Sequence, residues 1–553
     1  MSKRSLTLIG AAAAAALALT ACSGGGGGGG SDPADGGGNG AAFDLDFSNL
    51  ATTTPAGTTA VDTVTWNLPY EPLSLDPMFT YNYAENTVLS NLCEGLMRLT
   101  PELEIENGLA EKVENPDDRT VVYTLRSDAT FWDGTPVTAD DVVYSLGRQV
   151  GSDSPSYYAD YFVSVEAVEK TGDNEVTVRL KEPDALFEQA MSSAAGAIVQ
   201  QAAAEAGGER FGTPQGGLMC SGPFKFASWD SGKKLHLEKN AEYWDEALVP
   251  QVEKLDFTFI ADESTAINSL RSGDSDGQFF YLPPAGLTQI EGSDAEIVFG
   301  ESFTMWTMRA TNTEGPFSKP EVRAALLAAI DRQAIGDVVF QGAAAPAPVL
   351  TGPAYFGTGP QAALFQQALD GFSTEPDIEK AQEMLAEAGD VSGKIVLGVQ
   401  GSSAVHEQTA NLIQAAGQAI GLDIETKVIP VEQFGNLYFD ETSREGLDGF
   451  FTTYYGDFAD PLSVYVALAP GGTGNFTNYT EAGDDIAEAR RTLDPAARAE
   501  HTIAAQEKIT RDLPWVPFNY MPVIMVQNVG ISGAVPSSAY LSYPWAATIG
   551  GVE

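Results

Sequence analysis

Tyr123-Thr-Leu-Arg126, followed by Phe131-Trp-Asp-Gly-Thr-Pro-Val-Thr-Ala-Asp-Asp-Val-Val-Tyr-Ser-Leu146, holds three kinds of local signal in one run. From Thr120 to Arg126 polar and apolar residues alternate, with Val121, Tyr123 and Leu125 on one face, which is the period of a strand. Asp133-Gly134 marks a turn. Thr138 is placed to cap a helix, and Asp140 and Asp141 fall in its first turn, where the helix dipole favours negative charge. Val142 and Leu146 then share a face. Strand, turn and capped helix in succession predict a mixed α/β fold.

The same reading extends toward the C-terminus. Lys394 to Val399 reads as a strand, Val405 to Ile420 as a helix ended by Gly421, and Leu422, Ile424, Thr426 and Val428 alternate as the next strand. That is a βαβ unit, and it implies a parallel sheet with helices packed on it. Ser318 and Glu321 have capping-box spacing with Pro320 between them, ahead of an apolar stripe at Val322, Leu326, Ala329 and Ile330. Asp494-Pro495 opens a later helix that stops before Pro514 and Pro517.

Toward the N-terminus the pattern changes. Lys3 and Arg4 precede an Ala/Leu run that ends at Leu19, too short for a comfortable membrane span, which reads as an export signal over 1–21. Leu19-Thr20-Ala21-Cys22 resembles the bacterial lipobox, in which the cysteine is lipidated and becomes the first mature residue; the alternative is an ordinary signal with a chance cysteine. Ser23, seven glycines and a Ser/Asp/Gly/Thr stretch follow. Such a segment buries too little apolar surface to offset its ordering entropy, so 22–60 is expected to be a flexible tether. The body from Val61 is long enough for two or three domains.

Composition narrows the function. With 76 acidic against 30 basic residues, the formal net charge is −46. Nucleic acid and anionic lipid headgroups would be repelled by such a surface, and cationic solutes modestly attracted, although solubility alone accounts for most of the charge. The three histidines, His236, His406 and His501, lack metal-ligand spacing, so neither a metal nor a cofactor is expected. The histidines also show no arrangement partnered to a nucleophile, which argues against a secreted hydrolase. Cys93 and Cys220 are compatible with one disulfide in an exported protein, whereas two cysteines alone make a poor metal site.

From about Val61 the body resembles the bacterial extracellular solute-binding proteins of family 5, the peptide/nickel/opine-binding group. Besides the opening run, the resemblance rests on Glu71-Pro-Leu-Ser-Leu-Asp-Pro77, Cys93-Glu-Gly-Leu-Met-Arg98 (similar to the family's EGL helix), Ser221-Gly-Pro-Phe-Lys-Phe226 and Asn240-Ala-Glu-Tyr-Trp244. Val322-Arg323 with Ala329-Ile-Asp-Arg332, and Gly456-Asp-Phe-Ala-Asp-Pro461, complete it.

The resemblance implies a two-lobed, hinged-clamp α/β fold of the periplasmic-binding-protein type. Lobe I would use 61–105, 216–303 and 521–553, an extra domain 106–215, and lobe II 304–520. Asp457 matches the aspartate that grips the ligand's α-ammonium group in peptide-binding members. Tyr454, Tyr455 and Phe458 surround it and are candidates for pocket walls, with the core as their alternative place. The position of an arginine that often meets the ligand carboxylate is matched by Phe451. Glu94, Ser221 and Trp306 are weaker ligand-binding candidates, and Asp460 fits a turn role before Pro461. The cysteine pair looks like an added crosslink.

The implied function is that of a monomeric lipoprotein at the cell surface or in the periplasm, held to the membrane by its lipid anchor. It would capture peptides and deliver them to the permease subunits of an ABC importer. Nickel chelates, opines or other solutes are alternative cargoes, and a sensor is an alternative client.

Overall fold

The computed structural model describes residues 42–151, 154–311, 314–389 and 391–552. The export signal, the lipobox with Cys22 and the glycine run lie outside the described residues.

Three sheets organise the two-lobed body. The first has seven strands in the order Ala295–Gly300, Val523–Asn528, Gly277–Phe280, Val61–Leu68, Val252–Phe259, Lys234–Lys239, Phe224–Asp230. Val61–Leu68 runs parallel to both of its neighbours and the remaining pairs are antiparallel. Its centre is packed by Trp66, Phe279 and Trp545, whose rings lie 4.6–5.0 Å apart. The second has six strands in the order Ala345–Pro346, Trp515–Tyr520, Met305–Ala310, Gly449–Tyr454, Lys394–Gln400, Asp423–Ile429. A four-stranded antiparallel sheet, Ala110–Asp117, Thr120–Leu125, Glu175–Leu180, Val165–Gly172, forms the third.

The local signals account for several of these elements. Thr120–Leu125 alternates between partly exposed and buried residues, with Val121, Tyr123 and Leu125 inward. Gly134 has φ 84°, the left-handed conformation that its turn requires. Helix Ala139–Gly147 carries a full capping box, the Thr138 hydroxyl accepting from the Asp141 N–H while the Asp141 carboxylate accepts from the Thr138 N–H. Lys394–Gln400 and Asp423–Ile429 are parallel and joined by helix Ala404–Ile420, which ends at Gly421 with φ 90°. Asp494 caps helix Pro495–Asp512 by accepting from the Ala497 N–H at 2.9 Å.

Three expectations need correction. Ser318 does not cap helix Pro320–Ala329: it ends the short turn Pro316–Ser318 and its hydroxyl donates back to the Gly315 carbonyl, so the helix begins one residue too late for the box. The Cys93–Arg98 segment is not a helix. Helix Tyr83–Leu89 has already ended, Met97–Leu99 is a strand, and a Cβ on Gly95 would lie 2.5 Å from the Met191 carbonyl oxygen.

The tether is shorter than its composition suggests, because 42–60 is fastened to the body. Phe43 donates its N–H to Gln341 and its ring meets Phe299 at 5.1 Å. Ala51 and Thr59 bridge to Gly300 and Gly551. A few aromatic and backbone contacts hold a stretch that average composition marks as loose.

Cys93 and Cys220 are joined by a disulfide, with Cα atoms 5.0 Å apart and 127 positions between them in sequence.

Candidate functional site

Strand Gly449–Tyr454 is buried through Thr452, and Thr453 and Tyr454 emerge at its carboxyl end. Ligands in open α/β sheets commonly gather at such ends. There a cavity of about 510 Å³ opens, within the usual size of a small-molecule site. Its walls come from 81–83, from 154–161 and from the six-stranded half of the chain.

The chain turns at Gly456 before helix Leu462–Tyr465. A Cβ at Gly456 would lie 2.6 Å from the Ser463 hydroxyl and 2.8 Å from the Tyr355 ring, so only glycine fits. The Gly456 N–H donates to the Tyr355 hydroxyl at 2.7 Å, and that hydroxyl donates to the Phe303 carbonyl at 2.6 Å. This pinning sets the next residue, Asp457, on the cavity wall. Asp457 is half-buried and accepts one hydrogen bond, from the Tyr161 hydroxyl at 2.8 Å. Among the described residues no basic side chain pairs with it. Burial pushes its carboxyl up to about 6, against the lowering effect of the Tyr161 bond.

Tyr454 and Tyr455 also line the cavity. The Tyr455 hydroxyl donates to the Tyr81 carbonyl at 3.1 Å and accepts from the Asn86 amide at 3.2 Å, tying the strand end to the segment across the cavity. Phe458 does not reach the cavity: it is fully buried behind the wall, its ring 5.5 Å from that of Tyr161. Asp460 accepts from the Leu462 N–H in its turn and also from Arg498 at 3.0 Å and Gln189 at 3.2 Å.

The three weaker candidates lie elsewhere. Glu94 and Ser221 bond to each other at 2.6 Å in a buried network. The other Glu94 oxygen accepts from the Tyr243 hydroxyl at 2.7 Å and the Trp244 N–H at 2.9 Å, with Arg98 at 3.8 Å. Both carboxylate oxygens are engaged from within. Trp306 is fully buried among His406, Phe451 and Phe340. Phe451 shares that side of the strand, so the position matched to a carboxylate-binding arginine faces the helix-packed core.

Arg309 is the residue that local pattern misses. It is the penultimate residue of strand Met305–Ala310, whose Trp306, Met308 and Ala310 enter the helix-packed core while Arg309 lies on the opposite face and lines the cavity. Its guanidinium is 4.2 Å from the Trp515 ring centre, 5.1 Å from that of Tyr454 and 5.2 Å from that of Tyr438. Burial holds it below its ordinary pKa, with a smaller push from Arg444. The available signal was one arginine in an otherwise Met/Trp/Thr/Ala strand. Likewise Tyr158, Asp160 and Tyr161 reach the cavity from an aromatic run, Tyr157-Tyr-Ala-Asp-Tyr-Phe162.

Residues 104–476 match the family described as bacterial extracellular solute-binding proteins, family 5. The chain is 27% identical over 495 residues to the periplasmic oligopeptide-binding protein OppA of Escherichia coli, an alignment covering 85% of this chain and 90% of that protein. Among solved structures it resembles AgaA of A. tumefaciens R10, bound to agropinic acid, with a TM-score of 0.76, 23% identity, and coverage of 89% and 99% of the two chains. It also resembles AppA of Bacillus subtilis, bound to a nonapeptide, with a TM-score of 0.75, 20% identity and coverage of 90% and 100%.

Proposed function

We propose, from the premise that this chain belongs to the bacterial extracellular solute-binding proteins of family 5, that it is the peptide-capturing component of an ABC importer. In this reading Asp457 holds the ligand's α-ammonium group. The observation that carries it is a half-buried carboxylate on a cavity wall with a hydroxyl donor and no cation of its own. A carboxylate in that state is costly in the empty protein and gains a charge-assisted bond when an ammonium arrives. Backbone-directed recognition would suit peptides of varied sequence. The relatedness to an oligopeptide-binding protein over most of both chains supports the same cargo.

The reading has further parts. The seven-stranded sheet draws its strands only from 61–105, 216–303 and 521–553, the six-stranded sheet from 304–520, and the four-stranded sheet from 106–215. That distribution supports lobe I, lobe II and an extra domain at those bounds, with the cavity where they meet. Tyr454 and Tyr455 would line side-chain space, and Cys22 would carry the lipid anchor of a monomeric protein facing the outside of the membrane.

Calorimetry on four combinations tests the cargo: wild type and Asp457→Asn, each with a tripeptide and its N-acetylated form. Removing one partner of a buried pair typically costs about 3–5 kcal/mol, so each single change should weaken binding by at least about a hundredfold. The double change should be little worse than either. Simple additivity, or no effect of either change, defeats the assignment.

A further inference from the structure

We infer that Arg309 is the receptor for a carboxylate on the cargo, so that the ligand presents an ammonium to Asp457 and an acid to Arg309 within one cavity. The inference rests on the peptide reading above and adds the ligand's second charge. Arg309 is 6% exposed, and among the described residues its side chain has neither an ion pair nor a hydrogen bond, its Nε being buried without any acceptor. Other buried arginines among the described residues spend their terminal donors on the protein: Arg98 on carboxylates, Arg323 on carbonyl oxygens, and Arg332 on two carbonyl oxygens although its Nε, like that of Arg309, has no acceptor. Arg309 has only aromatic faces beside it, which hold a guanidinium in place and leave its donor edge free.

The other charged groups on the cavity wall leave this role open. Asp457 is engaged by Tyr161, and Asp160 accepts from the Thr473 hydroxyl at 3.0 Å; neither lies within ion-pair distance of Arg309. Arg309 is the sole basic side chain on the cavity wall among the described residues. Arg444, 4.1 Å from the centre of the Phe476 ring that Arg309 approaches at 5.8 Å, adds positive potential. A planar fork of donors matches a carboxylate in two-point fashion, and a desolvated pair of this kind forms only when the acid arrives. The carboxylate has two possible sources, the C-terminus of a short peptide or an acidic side chain.

Calorimetry with the full chain separates them. The probes are trialanine, its C-terminal amide, and the amides of Ala-Glu-Ala and Ala-Gln-Ala, each against wild type, Arg309→Met and Arg309→Lys. If the C-terminus is the source, amidation of trialanine weakens wild-type binding about tenfold or more and leaves Arg309→Met unmoved. If a side chain is the source, Ala-Glu-Ala amide binds wild type that much better than Ala-Gln-Ala amide, again without effect in Arg309→Met. Arg309→Lys keeps the charge and should recover part of the preference. The wild-type comparisons need no variant to fold.

Loss of binding on N-acetylation with indifference to every acid would overturn the role of Arg309 and leave the peptide reading standing. Should none of these peptides bind, the peptide reading fails and the arginine is judged by thermal shift. Succinate at constant ionic strength should then raise the Tm of wild type more than that of Arg309→Met, and equal shifts would overturn the proposal.

Discussion

Arg98 and Arg309 are both buried arginines near aromatic rings, yet their surroundings differ in one respect. Arg98 lies 3.0 Å from Asp245, 3.5 Å from Glu106 and 3.8 Å from Glu94, and Glu94 in turn takes hydrogens from Ser221, Tyr243 and Trp244. Among the described residues Arg309 has no such acid, and Asp457, on the wall of the same cavity, has no base. The same residue types therefore do opposite work. Around the disulfide, charge is neutralised within the fold and stabilises it. In the cavity, opposite charges are held apart, and what they lack must come from outside.

The largest effect expected from breaking this contrast is at Glu94. Glu94→Ala leaves the Arg98 guanidinium with two acids of three and strands two buried donors, Ser221 and Tyr243, and the half-buried Trp244 N–H. Unfolding in urea should show a loss of about 3–5 kcal/mol, with peptide affinity in the surviving native protein little changed. A large loss of affinity at unchanged stability would reverse the roles assigned to the two regions.

A smaller effect concerns acidity. Binding an ammonium requires the Asp457 carboxylate, whose pKa in the empty site is about 6. Affinity should be level from about pH 6 to the pKa of the peptide amine, roughly 7.7–8.0, and fall by about tenfold per unit below 6. No histidine lines the cavity among the described residues, so Asp457→Asn should abolish the acid limb, as calorimetry across pH would record.

The smallest effect is on the stability of the empty protein. Asp457 takes up its proton at about 6 when folded and near 3.8 when unfolded, so wild type gains stability as pH falls through that window. Asp457→Asn lacks the penalty of the buried charge. Its melting should indicate an advantage on the order of 1 kcal/mol at pH 8, less than the full shift implies because water reaches the half-buried group, and none below about pH 4. A disadvantage at pH 8 would mean that the carboxylate already has a cationic partner.

Much of the fold was legible because its signals are local. The capped helix after Thr138, the βαβ unit from Lys394 to Ile429 and the Asp494-Pro495 helix start each depend on residues a few positions apart. Asp457, Tyr454 and Tyr455 were found on the cavity wall because a motif marked them. Phe458 was misplaced because alternation around a turn does not say which ring faces inward. Glu94 and Ser221 were drawn away by partners 127 and 149 positions along the chain, which no local pattern reveals. The Tyr161–Asp457 bond spans 296 positions and was invisible for the same reason. Arg309 was overlooked since a lone charge in an apolar strand looks like a surface residue until the sheet is assembled.

The Cys93–Cys220 crosslink encloses every strand of the four-stranded sheet, Ala110 to Leu180, and with it Tyr161. If that sheet opens locally, both ends of the opened segment stay fastened with Cα atoms 5.0 Å apart. The segment then explores a closed loop rather than a free chain, which makes the entropy lost on return smaller. Recapture of the Asp457 carboxylate by Tyr161 thus becomes a short unimolecular search, and an excursion of this sheet need not commit the molecule to global unfolding.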